Sequence, residues 1–367
     1  MSTQSGKRLR IRRGDGTRTL ANGELEFDYV NSKLRVGDGS SVGGIGRAGQ
    51  SGFNLTRASA GYVFPSETPG VSPFVYSYVG SVRGYALGGA TPSNTDTMEK
   101  FPFSSDTSAT DIGELAAARF YGGGAQSQTD GYYVGGQNGG IYDAIQKFPF
   151  SSDTNAVDVA ETANPFAAGS YHSSETHGYT AGNLQTTDSR DQRINKFPFS
   201  SDSPGANSAA LGERRRYVSG GSYGNVAGYM MGGAISNTYQ DTVRKFSFSS
   251  DADATDVGEL PAVLGAGSTN SSETHAYNNG GRRPGGVNTI EKYTFATDGP
   301  AVDIGELATS TVDTSGASST ASGYVTGGAP PNSGNTGLDK YSFSSDGSAT
   351  DIGEITQARR KPTGVHV

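Results

Sequence analysis

The chain has 367 residues, a net charge of −7 at neutral pH and no cysteine. The lack of cysteine excludes disulfide bonds and thiolate metal sites. No apolar run approaches the ~20 residues of a membrane-spanning helix, and the basic residues 1–13 lack the apolar core of a signal peptide.

Charge is distributed unevenly along the chain. Residues 1–50 contain 9 Lys or Arg and 5 Asp or Glu, a net of +4, whereas the remaining residues contain 20 and 31, a net of −11. Because a region this acidic repels phosphate groups, we do not expect nucleic acid as a partner. The basic N-terminal part either binds an acidic partner or uses its arginines in local contacts.

Residues 1–50 contain three predicted strands. Apolar and charged residues alternate in residues 8–13, 20–27 and 33–36, as in short strands with one buried face. The segments between them carry Asn-Gly and Gly-Asp-Gly turn signals. A unit of this size buries too little apolar surface to be stable alone, so we expect oligomerisation to stabilise it.

The sequence of residues 1–50 resembles the N-terminal module of phage tail-fibre and tropism-determinant proteins. An Arg-Arg-Gly start, a Gly-Glu-Leu and a Lys-Leu-x-Val-Gly-Asp-Gly segment carry the resemblance, with a shorter stretch between the first two than that family has. The resemblance implies a module that anchors a receptor-binding protein to the virion, generally as a trimer. The implied anchoring and oligomerisation residues are Arg13, Gly23, Glu24, Leu25, Leu34, Gly37 and Asp38.

Residues 51–71 are rich in Gly and Ser, contain Pro, and are interpreted as a linker. Beyond them one element, Lys-Phe-x-Phe-Ser-Ser-Asp or a close relative, returns every 47 to 49 residues. Its copies start at Lys100, Lys147, Lys196, Lys245, Lys292 and Lys340. A period this regular marks a repeat architecture.

Each repeat combines the signals of short strands and tight turns. In Phe101-Pro102-Phe103 the two rings alternate with a smaller residue, so both face one side of a sheet. A Gly-Tyr-x-x-Gly-Gly segment precedes the element in four copies and is degraded in the two that start at Gly178 and Ala276. The Ser-Ser-Asp end of the element is typical of turns. About four strands per 48 residues describe one propeller blade. The sequence therefore predicts an all-β chain, with a six-bladed β-propeller over residues 72–367 after a small β-rich module over residues 1–50.

The repeats also resemble a known family. The Gly-Gly doublet, the later aromatic strand and an occasional Arg after Gly-Glu-Leu (Arg119, Arg214, Arg359) are similar to Kelch-type repeats. The wording Phe-Pro-Phe-Ser-Ser-Asp-x-x-Ala-Thr-Asp-x-Gly-Glu-Leu more narrowly resembles repeat proteins of marine cyanophages. The resemblance covers residues 72–367 and implies a fold rather than an activity. Since Trp is absent, the core must be built from Phe and Tyr.

Two segments compete for one strand position in the first blade. Residues 72–79 resemble the first strand of a blade, and residues 358–367 align with the same position. One of the two is expected to close the ring between the first and last blades. The sequence leaves the choice between them open.

No residue pattern indicates catalysis, a cofactor or a metal. We find no Ser-His-Asp spacing, phosphate-binding loop or metal-ligand cluster, so we expect no enzyme activity and no cofactor. A second aspartate follows most Ser-Ser-Asp elements by five residues, as Asp111 follows Asp106. Such a pair could bind calcium, but its recurrence favours turn capping. His177 and His275 share one repeat position and are predicted to be structural.

Six variable segments lie between the Gly-Gly doublet and the Lys of the aromatic strand, at 90–99, 137–146, 184–195, 234–244, 282–291 and 329–339. Because they occupy one place in each blade, they should emerge on one face. They either form a binding surface or reflect ordinary loop drift. Aromatic and Arg residues are favoured at binding surfaces, and the receptor-contact candidates are Tyr142, Arg190, Arg193, Tyr239, Arg282 and Arg283.

Three hypotheses about function follow. The first is a homo-oligomeric virion protein, assembled in the host cytoplasm, that attaches to other virion proteins through residues 1–50 and binds a host surface glycan or outer-membrane protein through the propeller. The second is a purely structural virion component, such as a capsid decoration or a neck or tail spike. The third is a glycan hydrolase, which needs two carboxylates about 5 to 10 Å apart. Asp130, Glu175 and Glu273 are candidates only because they lie near one repeat position.

Overall fold

A computed structural model describes residues 80–184, 192–329 and 333–367, together with the backbone of six short strands before residue 80. Every regular element in these parts is a β-strand. Within them, no helix has the length and hydropathy needed to cross a membrane. The chain divides into two compact units, Met1–Phe74 and Val75–Val367.

The first unit contains a four-stranded sheet and a hairpin. The sheet has the order β1-β2-β3-β4, in which β1 pairs with β2 in parallel and the other pairs are antiparallel. The hairpin β5–β6 lies within the segment interpreted as a linker, so this part of it has regular structure. The strands are β1 (Arg12–Gly14), β2 (Leu25–Asp28), β3 (Lys33–Val36), β4 (Ile45–Gly46), β5 (Thr56–Ala58) and β6 (Gly61–Val63).

The second unit is a six-bladed β-propeller, as predicted. Each blade is an antiparallel sheet whose first strand lies at the central axis and whose fourth lies at the rim. From axis to rim, blades 1 to 3 contain β31 (Thr363–His366), β7 (Arg83–Thr91), β8 (Ser93–Pro102) and β9 (Thr110–Glu114); β10 (Gly123–Gln126), β11 (Asp130–Val134), β12 (Ala144–Pro149) and β13 (Val157–Glu161); and β14 (Ser170–Ser173), β15 (His177–Ala181), β16 (Arg193–Pro198) and β17 (Ala206–Ala210).

Blades 4 to 6 repeat this order, with one addition. In blade 4 the short strand β20 (Ala234–Ile235) pairs with the third strand, β21, which also pairs with the second strand, β19. The strands are β18 (Ser219–Tyr223), β19 (Ala227–Met231), β21 (Thr238–Ser247) and β22 (Thr255–Leu264); β23 (Ser268–Ser271), β24 (His275–Arg282), β25 (Gly286–Thr294) and β26 (Val302–Glu306); and β27 (Ser315–Ser318), β28 (Ser322–Thr326), β29 (Asn335–Ser342) and β30 (Thr350–Arg359).

The C-terminal strand closes the ring. β31 takes the first-strand position of blade 1 and pairs with β7, with Val365 opposite Tyr85 and fully buried. The carbonyl of Val367 then accepts hydrogen bonds from the backbone N–H groups of residues 81, 82 and 83. Of the two segments that could have closed the ring, the C-terminal one therefore does so. Its competitor, residues 72–79, lies outside the described residues.

The first strands approach one another closely around the axis. A Cβ atom added to Gly364 would collide with the backbone of Gly316 in the neighbouring blade. One hydrogen-bond circuit runs around the ring at the last position of these strands. In five of its six links a backbone N–H donates to a side chain of the next blade, as Ser222 N–H donates to Ser271 Oγ at 3.1 Å. The sixth link joins two side chains, Gln126 Nε2 and His366 Nε2, at 2.9 Å. Its members are Gln126, Ser173, Ser222, Ser271, Ser318 and His366.

Aromatic rings join each blade to the next, as the absence of Trp requires. Tyr324 of blade 6 stacks on Phe103 of blade 1, with ring centroids 4.6 Å apart, and contacts Phe101 at 5.6 Å. Both phenylalanines therefore face one side of the sheet, as the alternation predicts. A similar arrangement recurs at the other five interfaces, where Tyr85, Tyr132, Tyr179, Tyr229 and Tyr277 take the corresponding place. Between blades 4 and 5, Tyr229 is tilted on Phe295 and the stack on that ring is made by Tyr223.

The two aspartates of each pair have different roles, whereas turn capping was predicted for both. The Asp of each Ser-Ser-Asp element, or its Thr-Asp relative, bonds the repeat Lys of the preceding blade, at 2.6 to 3.4 Å. The circuit closes where Lys340 contacts Asp106. The second aspartate does cap a turn, because Asp111 Oδ1 accepts the backbone N–H of Gly113 at 2.9 Å. For the first aspartate, turn capping was the wrong prediction, because its partner is a lysine in another blade.

Three arginines staple neighbouring blades. The guanidinium groups of Arg119, Arg215 and Arg359 each donate to the carbonyl of the first Gly in a Gly-Gly doublet. The sequence placed Arg214 in this series, but Arg214 is exposed and its neighbour Arg215 is the buried member. In blade 2 the doublet has φ values of +67° and +91°. Glycine fits there because other residues rarely adopt such angles.

The buried imidazole of His172 predicts a loss of stability in mild acid. It is fully buried, with Nδ1 2.9 Å from the Gly221 carbonyl oxygen and Nε2 3.1 Å from Ser170 Oγ. Burial lowers the pKa of His172 to about 4. Since the unfolded chain binds this proton more tightly, stability should fall as the pH drops from about 6.5 to about 4, by up to about 3 kcal/mol.

Urea unfolding at pH 7 and pH 4.5 measures this effect. The His172→Gln variant cannot titrate, so it should lose less stability than the wild type between the two pH values. Equal losses in both proteins would show that His172 does not cause the acid sensitivity.

Candidate binding site at the channel mouth

The alternation of strand direction gives the propeller two different faces. The turns between first and second strands and the Ser-Ser-Asp loops between third and fourth strands lie on one face, here called the turn face. The connections from second to third strands, and those from fourth strands to the next blade, lie on the other, here called the loop face. The connections between second and third strands are the variable segments, and their described parts all emerge on the loop face.

Six residues at one repeat position form a ring around the axis on the loop face. Each precedes a first strand, and each N–H donates to the carbonyl of the preceding member at 2.6 to 3.3 Å, so the circuit closes. All six have φ between +54° and +60°, yet none is glycine. A left-handed non-glycine residue costs about 1–2 kcal/mol, and such strain is concentrated at functional sites. This mouth ring consists of Tyr121, Ala168, Tyr217, Ala266, Asp313 and Lys361.

Two tyrosines and a carboxylate of the mouth ring contact one another. The Tyr121 hydroxyl donates to Asp313 Oδ1 at 3.0 Å. The rings of Tyr121 and Tyr217 lie with centroids 5.6 Å apart and planes at 54°. Because these residues come from different blades, the ring brings together side chains that are 96 to 192 positions apart in the chain.

Cations surround the carboxylate of Asp313. Lys361 Nζ lies 4.3 Å from the centroid of the Tyr121 ring. Burial raises the pKa of Asp313, and the charges of Lys361, Arg282 and Arg360 oppose that rise. Burial lowers the pKa of Lys361, while Asp313 opposes that change. Three cations thus face one carboxylate, and the mouth is locally positive on an acidic protein.

The mouth ring encloses a small polar cavity. It has room for only a few water molecules, about 60 Å³, and it is lined by the ring and by the starts of the first strands. Ser268 and Thr314 line it and are buried, and neither hydroxyl has a hydrogen-bond partner. Buried polar groups are normally bonded, so water in the cavity or a ligand group completes the hydrogen bonding of these two hydroxyls.

The receptor-contact candidates separate into two groups. Arg282 is exposed beside the mouth ring, and Tyr142 is exposed on the loop face under the guanidinium of Arg119. Three others, Arg193, Tyr239 and Arg283, are engaged within the fold. Arg193 donates to Asn164 Oδ1 at 2.8 Å and Arg283 bonds the buried Glu291. Tyr239 is half-buried in the β20–β21 hairpin.

Two sets of predicted residues have no described side chain. Arg190 lies outside the described residues. Among the anchor candidates only the backbone of Arg13, Leu25 and Leu34 is described, in β1, β2 and β3. The remaining anchor candidates, Gly23, Glu24, Gly37 and Asp38, also lie outside the described part of the chain.

The carboxylates considered for hydrolysis lie in three different blades. Asp130, Glu175 and Glu273 belong to blades 2, 3 and 5, at turns between first and second strands. Glu175 instead contacts Asn225 of the neighbouring blade at 3.0 Å. Among the described residues no group of three or more His, Asp or Glu is placed to hold a metal.

The mouth ring was not predicted from the sequence, although the sequence contains a signal for it. Its members are spaced by 47, 49, 49, 47 and 48 residues, the same intervals as the repeat lysines. Their identities vary from Ala to Tyr, Asp and Lys, so no motif marks the position. Only the closure of the ring shows that these residues share a cavity. Comparison of the chain with protein-family models and with curated proteins gave no match.

Proposed function

We propose that this protein is a non-enzymatic recognition protein that binds its target through the loop face of the propeller. The observation that carries the proposal is the contrast between the two faces. On the turn face the same Lys–Asp contact recurs in all six blades. On the loop face the segments differ from blade to blade and surround a strained, partly unsatisfied cavity.

The target we propose is a component of a host cell surface, with the protein carried on a phage particle. The resemblance of residues 1–50 to phage tail-fibre modules and of the repeats to cyanophage proteins supports this part. The position of Gly80 agrees with it, because the chain enters the propeller beside Val367 on the turn face. The loop face lies on the opposite side of the propeller from Gly80.

Binding to candidate host cells tests the proposal. Fluorescently labelled full-length protein should bind susceptible cells, and a copy lacking residues 1–50 should bind more weakly, because several linked propellers bind with avidity. The shortened copy should be a folded monomer. A shortened protein that remains oligomeric would contradict the role of residues 1–50.

A structural virion component is the second candidate. The closed circuits of ion pairs, aromatic stacks and hydrogen bonds favour it, because they make a rigid body suited to a spacer. Location in a particle separates the two functions, since a propeller whose loop face is covered by other virion proteins cannot reach a receptor. Failure to bind any susceptible host would move this candidate ahead.

A further inference from the structure

We propose that the mouth ring binds an acidic saccharide residue, a hexuronic acid unit of a surface polysaccharide, which lies across the opening of the small cavity rather than inside it. This inference rests on the proposed recognition function and deepens it by naming the ligand class and the site. The site consists of Tyr121, Tyr217, Asp313 and Lys361 from the mouth ring, Arg282 beside it, and the unpartnered hydroxyls of Ser268 and Thr314.

The lining of the cavity favours a sugar over a protein side chain. Apart from Val218 and Pro362, its walls are Gly, Ala, Ser, Thr, Tyr, Asp and Lys, and no deep apolar hole is present to receive a hydrophobic anchor. The rings of Tyr121 and Tyr217 are half-buried, with centroids 5.6 Å apart. Lys361 lies over the first ring and Arg216 over the second, and the exposed parts of the rings form a small aromatic surface beside these cations. The C–H face of a pyranose ring packs on such a surface while its hydroxyls reach polar groups at the rim.

The hydrogen-bonding groups match several ring hydroxyls. Ser268 Oγ and Thr314 Oγ1 are buried at the cavity without a partner and can each donate and accept. Asp313 Oδ1 already accepts from Tyr121, and a carboxylate has further acceptor sites. Ring hydroxyls can join the hydrogen bonds of these groups through water in the cavity, which a ligand without hydroxyls cannot do.

The charges select an acidic sugar. Lys361, Arg282 and Arg360 act on the single carboxylate of Asp313, so the mouth retains an excess of positive charge. Arg216 adds a further cation, with its guanidinium carbon 5.2 Å from the centroid of the Tyr217 ring. A carboxylate on the ligand balances this excess, whereas a neutral sugar does not.

The two alanines of the mouth ring show that alanine is tolerated at this position of the repeat. Ala168 and Ala266 adopt the same positive φ in equivalent positions. The variants Tyr217→Ala and Lys361→Ala should therefore fold, which a thermal unfolding scan verifies. Lys340→Ala removes one Lys–Asp contact on the turn face and serves as the matched control.

Calorimetric titration of the full-length protein with a galacturonic acid oligosaccharide, and with the matched neutral galactose oligosaccharide, tests the inference. The acidic probe should bind, more weakly as salt is added, and the neutral probe should bind at least tenfold more weakly. Tyr217→Ala and Lys361→Ala should each weaken binding of the acidic probe at least tenfold, while Lys340→Ala should bind like the wild type.

Three results would overturn the inference: no binding of the acidic probe, equal binding of both probes, or unchanged binding in both mouth variants. A fourth result would also overturn the inference. If a peptide with a free terminal carboxylate binds the mouth and the acidic sugar does not, the mouth belongs to a protein ligand. If the protein binds cells and the acidic probe neither binds nor competes, the inference fails and the proposed function stands. If the acidic probe binds and the protein binds no cells, the ligand assignment stands and the proposed function fails.

Discussion

Removal of residues 363–367 is expected to abolish cooperative unfolding of the propeller, or to lower its free energy of unfolding by more than about 5 kcal/mol. The deletion removes the first strand of blade 1 and the buried side chain of Val365. Burying a Val contributes about 1.5–3 kcal/mol, and each backbone hydrogen bond about 0.5–1.5 kcal/mol net. The hydrogen-bond circuit through Ser318, His366 and Gln126 is lost as well.

Urea unfolding followed by circular dichroism measures the effect of the deletion. The point variant His366→Ala is the matched control, because it breaks the circuit without removing the strand and should cost far less. A deleted protein that unfolds at the same urea concentration and with the same cooperativity as the wild type would show that β31 does not close the ring.

The Arg359→Met variant is expected to lose about 3–5 kcal/mol of stability, because it leaves a buried carboxylate without its partner. Arg359 and Glu99 are both fully buried and bonded to each other. Arg359 also donates to the carbonyls of Gly88 at 2.9 Å and Thr97 at 3.1 Å. Glu99 further accepts the backbone N–H of Thr356 at 2.6 Å, so this one pair ties the last strand of blade 6 to blade 1.

A double variant separates the charge from the packing. Glu99→Gln with Arg359→Met removes both charges and should recover most of the lost stability, since the large cost lies in the unpaired charge. Arg360→Met, one position along and half-buried, should change stability by less than about 1 kcal/mol. An Arg359→Met protein as stable as the wild type would refute the buried pair as a staple.

The fold could be predicted because its determinants are local and repeated six times. Alternating aromatics and Gly-Gly doublets specify strands and tight turns, and their regular return specifies blades. The closing strand could not be chosen, because residues 72–79 and 358–367 carry similar local patterns. Only the pairing of β31 with β7 in three dimensions decides between them.

The candidate site could be predicted only in part. The repeat register correctly placed the variable segments on one face, but it did not separate exposed arginines from buried ones. Arg282 and Arg283 are adjacent, yet the first lies beside the mouth and the second bonds Glu291 in the interior. The mouth ring depends on contacts between blades, such as Tyr121 with Asp313, which no local pattern encodes.

The ring of Lys–Asp contacts has a consequence for how this gene can change its length. Every blade offers the same lysine to its successor and the same aspartate to its predecessor, so any repeat is chemically acceptable beside any other. Duplication or loss of one repeat of about 48 residues would leave these contacts matched and alter only the curvature of the ring. The arginine staples break this equivalence, since they occur at three interfaces, and they distinguish otherwise interchangeable blades.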